Sequence, residues 1–169
     1  KLQTKDNIEY LDGGAGIDTL YLYTGNSWWS GPLPNIGEKV VNFEKITFQS
    51  YSSTSFDFTL DEQALPSVGE TLTVDAGSGG TFTSLSPANI IFIGGTYDYN
   101  YRTRDDIVIL GSGDDIINLR EGDDTVTGGA GDDTIDGGDG NDVAIFSGNK
   151  ADYSIETKLA GLVETITVV

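Results

Sequence analysis

Histidine, cysteine and methionine are absent from this 169-residue sequence. Without cysteine the chain can form no disulfide and offers no thiol nucleophile, and without histidine it lacks a catalytic triad and the common zinc sites. A phosphate-binding loop is missing too. Paired carboxylates could still hydrolyse a glycoside, but the prominent ones belong to a repeat. We therefore expect no catalytic activity from this sequence itself.

Basic residues are scarce: 9 Lys and Arg stand against 27 Asp and Glu, giving a formal net charge of -18. A charge of this sign argues against nucleic acid and anionic membrane surfaces as partners. No apolar run is long enough for a transmembrane helix, and no signal-peptide pattern is present. The missing methionine, with a start inside a repeat-like pattern, predicts that the sequence is part of a longer protein.

A nine-residue period organises residues 101–145. An aspartate recurs at every ninth position, and an aliphatic residue or alanine follows two positions later. The aspartates are Asp106, Asp115, Asp124, Asp133 and Asp142, and the second column holds Val108, Ile117, Val126, Ile135 and Ala144. Between Asp105 and Asp142 there are twelve acidic residues and one basic residue, Arg120. Such a segment repels itself unless bound cations relieve the charge.

Glycines in these rows suit a sharp turn that directs its carbonyls to one point, because glycine tolerates positive φ. Carbonyl and carboxylate oxygens are the ligands that calcium prefers. The last two rows are GGAGDDTID and GGDGNDVAI, which match the nonapeptide G-G-x-G-x-D-x-U-x. The segment resembles the RTX, or haemolysin-type, calcium-binding repeat family.

This resemblance implies a parallel β-roll with two repeats in each coil and several calcium ions between turns two repeats apart. The implied pairs are Asp106 with Asp124, Asp115 with Asp133, and Asp124 with Asp142. Arg104 stands where the family has glycine, so the first site departs from the pattern. The implied metal-site residues are Asp106, Gly111, Gly113, Asp115, Gly122, Asp124, Gly129, Gly131, Asp133, Gly138, Gly140 and Asp142.

One isolated copy of the repeat occupies residues 13–21. Gly14, Gly16 and Asp18 fill the metal columns, and Leu20 fills the aliphatic one. We expect Asp18 to close a calcium site with a loop upstream of Lys1. The alternative is a glycine-rich β-turn without metal.

Period-two patterns predict strands and no helix in the rest of the chain. The predicted strands are Asp18–Thr24, Asn42–Gln49, Phe56–Leu60, Thr71–Val74 and Ile90–Ile93. The predicted fold is all-β: a right-handed parallel β-solenoid over residues 1–100, running into the calcium-binding β-roll over 101–146. Residues 147–169 are predicted to form capping strands. A separate small sandwich is the alternative for the first part.

Two aromatic loops are candidate contact sites. Trp28 and Trp29 are adjacent in a Gly-, Ser- and Pro-containing loop, and Tyr97 and Tyr99 precede the roll. Such side chains could stack on sugar rings or contact a partner. Alternatively, the tryptophans fix a long loop to their own domain, and the tyrosines cap the first coil.

The main functional hypothesis is a non-catalytic calcium-binding module of a larger secreted bacterial protein. The family implies export by a type I secretion apparatus, an extracellular or cell-surface location, and folding on calcium outside the cell. Each repeat buries about one aliphatic side chain, which does not offset the ordering of nine residues at roughly 1–2 kcal/mol each. The alternatives are an adhesive or glycan-binding surface module, and an accessory domain of a secreted alginate-modifying or proteolytic enzyme.

Overall fold

The structure is a computed structural model that describes residues 11–24, 40–50, 56–60, 71–77, 79–96, 103–147 and 167–168. Within these ranges all regular elements are β-strands, and there is no helix that is long and apolar enough to cross a membrane. The strands are β1 (Leu11–Asp12), β2 (Thr19–Thr24), β3 (Val40–Val41), β4 (Lys45–Ser50), β5 (Phe56–Leu60), β6 (Thr71–Asp75), β7 (Gly80–Ser84), β8 (Asn89–Ile93), β9 (Ile107–Ile109), β10 (Ile116–Asn118), β11 (Thr125–Thr127), β12 (Thr134–Asp136), β13 (Val143–Phe146) and β14 (Thr167–Val168).

The described strands form two six-stranded sheets and one small pair, β1 with β3. The first sheet has the order β12-β10-β8-β6-β4-β2, and the second has the order β14-β13-β11-β9-β7-β5. From β4 to β13, consecutive strands alternate between the two sheets, and the strand pairings of the described residues are all parallel. The predicted all-β, parallel solenoid architecture is confirmed. We call β2–β8 the solenoid, and β9–β13 with their connecting turns the roll.

Both sheets continue from the solenoid into the roll. Strand β7 pairs with β9 in the second sheet, and β8 pairs with β10 in the first. The solenoid is therefore no separate sandwich, since its last strands are the edges on which the roll is built.

Phenylalanines fill the solenoid between its two sheets. Ring centroids lie 5.0 Å apart for Phe48 and Phe58, 6.3 Å for Phe58 and Phe82, and 5.5 Å for Phe82 and Phe92. All four rings are at most 2% exposed. Such aromatic packing gives the solenoid an apolar core that needs no metal.

The roll continues this core with smaller, aliphatic side chains. Val108, Ile117 and Val126 of the strands and Leu110 and Leu119 of the turns are buried, whereas Ile135 and Ala144 are only partly buried. The aliphatic column therefore faces inward as predicted, and apolar burial declines along the roll.

Coil length in the roll equals two repeats. Ile116 pairs with Thr134, and Thr125 pairs with Val143, each 18 residues later. Four six-residue turns join the strands: 110–115, 119–124, 128–133 and 137–142. The connection from β8 to β9, residues 94–106, is longer, and it marks the boundary between solenoid and roll.

The sequence patterns missed β7. Its inward positions are Gly80, Phe82 and Ser84, of which only one is a large apolar residue. Of the predicted capping segment, residues 148–166 and 169 lie outside the described residues, while β14 pairs with β13.

Candidate metal centre

The four short turns lie on two edges of the roll. Turns 110–115 and 128–133 lead from the second sheet to the first and form what we call the first edge. Turns 119–124 and 137–142 lead back and form the second edge. On each edge, the 18-residue coil brings two turns of the same type next to each other.

One hydrogen bond recurs along both edges. The Oδ1 atom of each column aspartate accepts a bond from the main-chain N–H at the matching position of the preceding coil. The donor and acceptor pairs are Gly80 and Asp106 at 2.8 Å, Ile90 and Asp115 at 2.7 Å, Asp106 and Asp124 at 2.6 Å, Asp115 and Asp133 at 3.1 Å, and Asp124 and Asp142 at 3.0 Å. The structure thus brings together each implied aspartate pair.

The second oxygen of two of these carboxylates is buried without a hydrogen-bond partner in the described part of the chain. Asp115 and Asp124 are each 1% exposed, and the Oδ2 atom of each finds no hydrogen-bond partner among the described residues. Burial raises the pKa of both carboxyls to about 7, against the lowering effect of the backbone bond that each accepts. Neighbouring carboxylates raise these pKa values further. A buried charge without a partner is costly, so each position favours a cation.

Glycines allow the backbone of successive turns to approach closely. A Cβ atom on Gly129 or Gly131 would collide with the carbonyl oxygen of Gly111 or Gly113, respectively, in the preceding turn. On the second edge, Gly138 and Gly140 lie in the same way against the carbonyls of Arg120 and Gly122. All four glycines have φ between +89° and +155°. Carbonyl oxygens of one turn therefore lie against the next turn, at the contact between the two.

This oxygen-rich contact fits calcium. Within the described part of the chain, no three Asp or Glu side chains converge on one point. A cation at these turns would therefore be bound mainly by main-chain carbonyls, with a small number of carboxylates. Calcium accepts such a mixture in irregular geometry, so the residues present fit the metal that the resemblance implied.

A second ladder of aspartates was not recognised from the sequence. Oδ1 of Asp105, Asp114 and Asp123 accepts a hydrogen bond from the main-chain N–H one coil later, at 3.0, 2.9 and 2.9 Å. These exposed side chains accept from the following coil, whereas the column aspartates accept from the preceding coil. Successive turns are therefore joined by a second hydrogen bond. The signal was present as the doubled aspartate that precedes β9, β10, β11 and β12.

Asp106 differs from the other column aspartates. It is 0% exposed, and its Oδ2 accepts a hydrogen bond of 2.9 Å from the N–H of Gly95. Burial raises the pKa of Asp106 to about 6, and the two bonds from Gly95 and Gly80 act in the lowering direction.

The isolated repeat pairs with a residue that the sequence did not single out. Gly14 and Gly16 have positive φ, and the Asp18 N–H donates a 2.7 Å hydrogen bond to Oε2 of Glu44. Glu44 thus takes the role that an aspartate of the next coil has in the roll. The coil here spans 26 residues, so the nine-residue period could not reveal this pair. The loop upstream of Lys1 that we expected beside Asp18 is not part of the sequence.

The candidate contact residues of the aromatic loops are not placed by the structure. Trp28, Trp29, Tyr97 and Tyr99 lie outside the described residues. Their proposed contacts therefore remain predictions from sequence.

Comparison with known proteins identifies the repeats. Residues 5–26, 103–126 and 109–144 match the family model of the RTX calcium-binding nonapeptide repeat, in four copies. The matched segments include the isolated repeat and the four six-residue turns of the roll. No curated protein and no solved structure matched the chain.

Proposed function

We propose that this chain, which carries RTX calcium-binding nonapeptide repeats, is a structural module whose roll folds when its turns bind calcium. The calcium-dependent part begins at residue 110, where the first six-residue turn starts. The solenoid supports the roll and has its own apolar core.

The observation that carries this proposal is the unpartnered Oδ2 atom of Asp115 and of Asp124. Each atom is buried without a hydrogen-bond partner among the described residues, and in the same turns glycines lie against the carbonyls of the preceding turn. Ionising these buried carboxyl groups in neutral solution costs free energy, and this cost lowers the stability of the metal-free fold. Bound calcium supplies positive charge and accepts several oxygens at once.

The residues that would hold calcium are divided between the two edges. On the first edge they are Asp115, Asp133 and the carbonyls of Gly111 and Gly113. On the second edge they are Asp124, Asp142 and the carbonyls of Arg120 and Gly122. The remaining predicted glycines, Gly129, Gly131, Gly138 and Gly140, allow these carbonyls to approach the next turn.

Folding and metal binding are expected to be one event in the roll. Its apolar core consists of small groups of aliphatic side chains, Val108, Leu110, Ile117, Leu119 and Val126, and burial declines towards β13, where Ala144 is only partly buried. Twelve acidic residues against one basic residue in 105–142 oppose compaction. Metal binding to a site that the unfolded chain lacks contributes its free energy directly to folding.

The family context extends the proposal to the cell. RTX repeats form a structural, non-catalytic calcium-binding module, and proteins that carry them are generally secreted by a type I apparatus. We propose that this chain belongs to a larger secreted bacterial protein that crosses the export channel unfolded. It would fold on meeting calcium outside the cell, and any catalytic or adhesive activity would lie elsewhere in that protein.

A pair of variants with the same change of charge tests the proposal. Asp124→Asn alters a buried column aspartate, whereas Asp123→Asn alters its exposed neighbour and keeps an oxygen that can accept the Asn141 N–H. Isothermal calorimetry should show calcium affinity at least about tenfold weaker for Asp124→Asn. Asp123→Asn should stay close to the unaltered chain. Equal effects of the two changes, or no calcium binding by the unaltered chain, would refute the assignment.

A further inference from the structure

Asp106 joins three segments of the chain without a metal. Its Oδ1 accepts the N–H of Gly80 at 2.8 Å, and its Oδ2 accepts the N–H of Gly95 at 2.9 Å. Gly80 begins β7, Gly95 follows β8, and Asp106 itself precedes β9. One fully buried side chain therefore fastens the start of the roll to both sheets of the solenoid.

The difference between Asp106 and the later aspartates lies in one oxygen. Oδ1 makes the same bond to the preceding coil in Asp106, Asp115 and Asp124. Oδ2 has no hydrogen-bond partner among the described residues in Asp115 and Asp124, but it is paired with a main-chain amide in Asp106. The backbone N–H of Gly95 thus directs the positive end of its dipole at Oδ2 of Asp106, whereas no donor of the described segments reaches Oδ2 of Asp115 or Asp124.

The long connection between β8 and β9 explains this arrangement. Gly94 still follows the coil: its N–H donates to the carbonyl of Asn118 at 2.7 Å, and its Cα lies against the carbonyl of Leu119. The next residue, Gly95, is buried and directs its N–H to Asp106 instead of continuing a six-residue turn. An insertion in the repeat pattern has therefore placed a backbone donor at this carboxylate.

We propose that Asp106 is a metal-independent anchor and not a calcium ligand, with the Gly95 amide in the place of a cation. Calcium binding on the second edge then begins one coil later, between turns 119–124 and 137–142. Asp106 also acts on that first calcium-binding turn, because its own N–H donates a 2.6 Å hydrogen bond to Oδ1 of Asp124. It is a positioning residue that sets the register of the roll before metal arrives.

Two asparagine variants of the full chain give opposite expectations. In Asp106→Asn an NH2 group replaces one carboxylate oxygen and cannot accept the hydrogen bond from the Gly80 or the Gly95 N–H. One buried donor is then left without its acceptor, so the melting temperature in EDTA should fall by roughly 5 °C. The number of calcium ions bound, measured by equilibrium dialysis at saturating calcium, should be unchanged. Asp124→Asn should lower the number of bound ions by one and should not lower the melting temperature in EDTA, because the roll is then unfolded beyond residue 110, and where it is transiently folded the altered oxygen has no hydrogen-bond partner among the described residues to lose.

The opposite pattern would overturn the proposal: loss of an ion by Asp106→Asn, together with an unchanged melting temperature in EDTA. Should Asp106→Asn fail to fold, amide hydrogen exchange of the unaltered chain decides the question. The Gly95 and Gly80 amides should exchange as slowly in EDTA as in calcium. A Gly95 amide that is protected only after calcium is added would contradict the anchor.

The calcium count in this test rests on the proposed function, whereas the behaviour in EDTA does not. If the unaltered chain bound no calcium, the proposed function would fail, but the destabilisation by Asp106→Asn in EDTA would still support the anchor. If calcium bound normally and Asp106→Asn lost an ion, only the anchor would fail.

Discussion

The main-chain N–H of Asp124 donates a 3.0 Å hydrogen bond to Oδ1 of Asp142, 18 residues later in the sequence. The bond joins two successive turns on the second edge, and the bond from Asp115 to Asp133 does the same on the first. Each column carboxylate therefore has one oxygen committed to the backbone. The positions differ in the environment of the other oxygen, which accepts a hydrogen bond in Asp106 but finds no partner among the described residues in Asp115 and Asp124.

Removal of calcium should unfold the roll and leave the solenoid folded. In EDTA, we expect amides of residues 110–147 to exchange rapidly, whereas those of β6, β7 and β8 stay protected by the phenylalanine core. The physical reason is the contrast between four packed rings in the solenoid and a core of aliphatic side chains in the roll that is only partly buried at Ile135 and Ala144. Hydrogen exchange with mass spectrometry measures both regions in one sample. Equal protection of residues 110–147 with and without calcium, after verified metal removal, would contradict this.

Magnesium should not replace calcium at equal concentration. The turns offer mostly carbonyl oxygens fixed by the backbone, whereas magnesium requires near-octahedral geometry at shorter distances and releases its water reluctantly. Thermal unfolding followed by circular dichroism should show a clear rise in melting temperature with calcium and little change with magnesium. Potassium chloride at matched ionic strength is the control for charge screening. The prediction is wrong if both divalent ions stabilise the chain equally.

Acid should stabilise the metal-free roll. Burial raises the pKa of Asp115 and Asp124 to about 7, compared with about 4 in an unfolded chain. The folded state therefore binds protons more tightly, so this contribution is present below about pH 4 and is lost as the pH rises through about 7. In EDTA, the ordered fraction of the roll should be greater at pH 5 than at pH 8.

A double variant separates these two groups from the general relief of negative charge. Asp115→Asn with Asp124→Asn should show a weaker dependence on pH than the unaltered chain in EDTA. With calcium present, the unaltered chain should bind more weakly at pH 5, because protons and metal compete for the same carboxylates. A metal-free roll that becomes more ordered from pH 5 to pH 8 would exclude the raised pKa values as the controlling property.

Two glycines at the same repeat position should respond differently to a methyl group. Gly14 and Gly129 both have positive φ, but a Cβ on Gly14 meets no atom within 4 Å, whereas one on Gly129 would collide with the Gly111 carbonyl. Alanine at either position costs about 1–2 kcal/mol from backbone conformation. Gly129→Ala should cost roughly a further 1–3 kcal/mol from overpacking.

Chemical denaturation in saturating calcium gives the two unfolding free energies for comparison. Since Gly14→Ala carries only the conformational cost, the difference between the variants isolates the close approach of two turns. If both variants lost the same free energy, the turns would not be as closely stacked as the structure indicates.

The nine-residue period predicted much of the fold and part of the candidate site. Period-two alternation and β-branched residues predicted most strands, because an inward-facing apolar side chain at every second position is a local property. The resemblance to the RTX repeat family implied which turns are neighbours, since two repeats complete one coil in that family, and the structure confirms the parallel architecture. Period-two alternation did not predict β7, because Phe82 is the only large apolar residue of that strand that faces inward.

Only the tertiary structure decided which oxygens are compensated. Asp106, Asp115 and Asp124 occupy equivalent columns, and Arg104 in place of glycine before Asp106 does not by itself show which carboxylate oxygen finds a partner. The distinction arises because a long connection brings the Gly95 amide to Asp106 from eleven residues away in sequence. The pairing of Asp18 with Glu44 is equally invisible in the sequence, because coils of irregular length set its register. The repeated sequence determined the conformation of the turns, whereas long-range backbone contacts determined which column aspartates have a hydrogen-bond donor at Oδ2 and which favour a cation there.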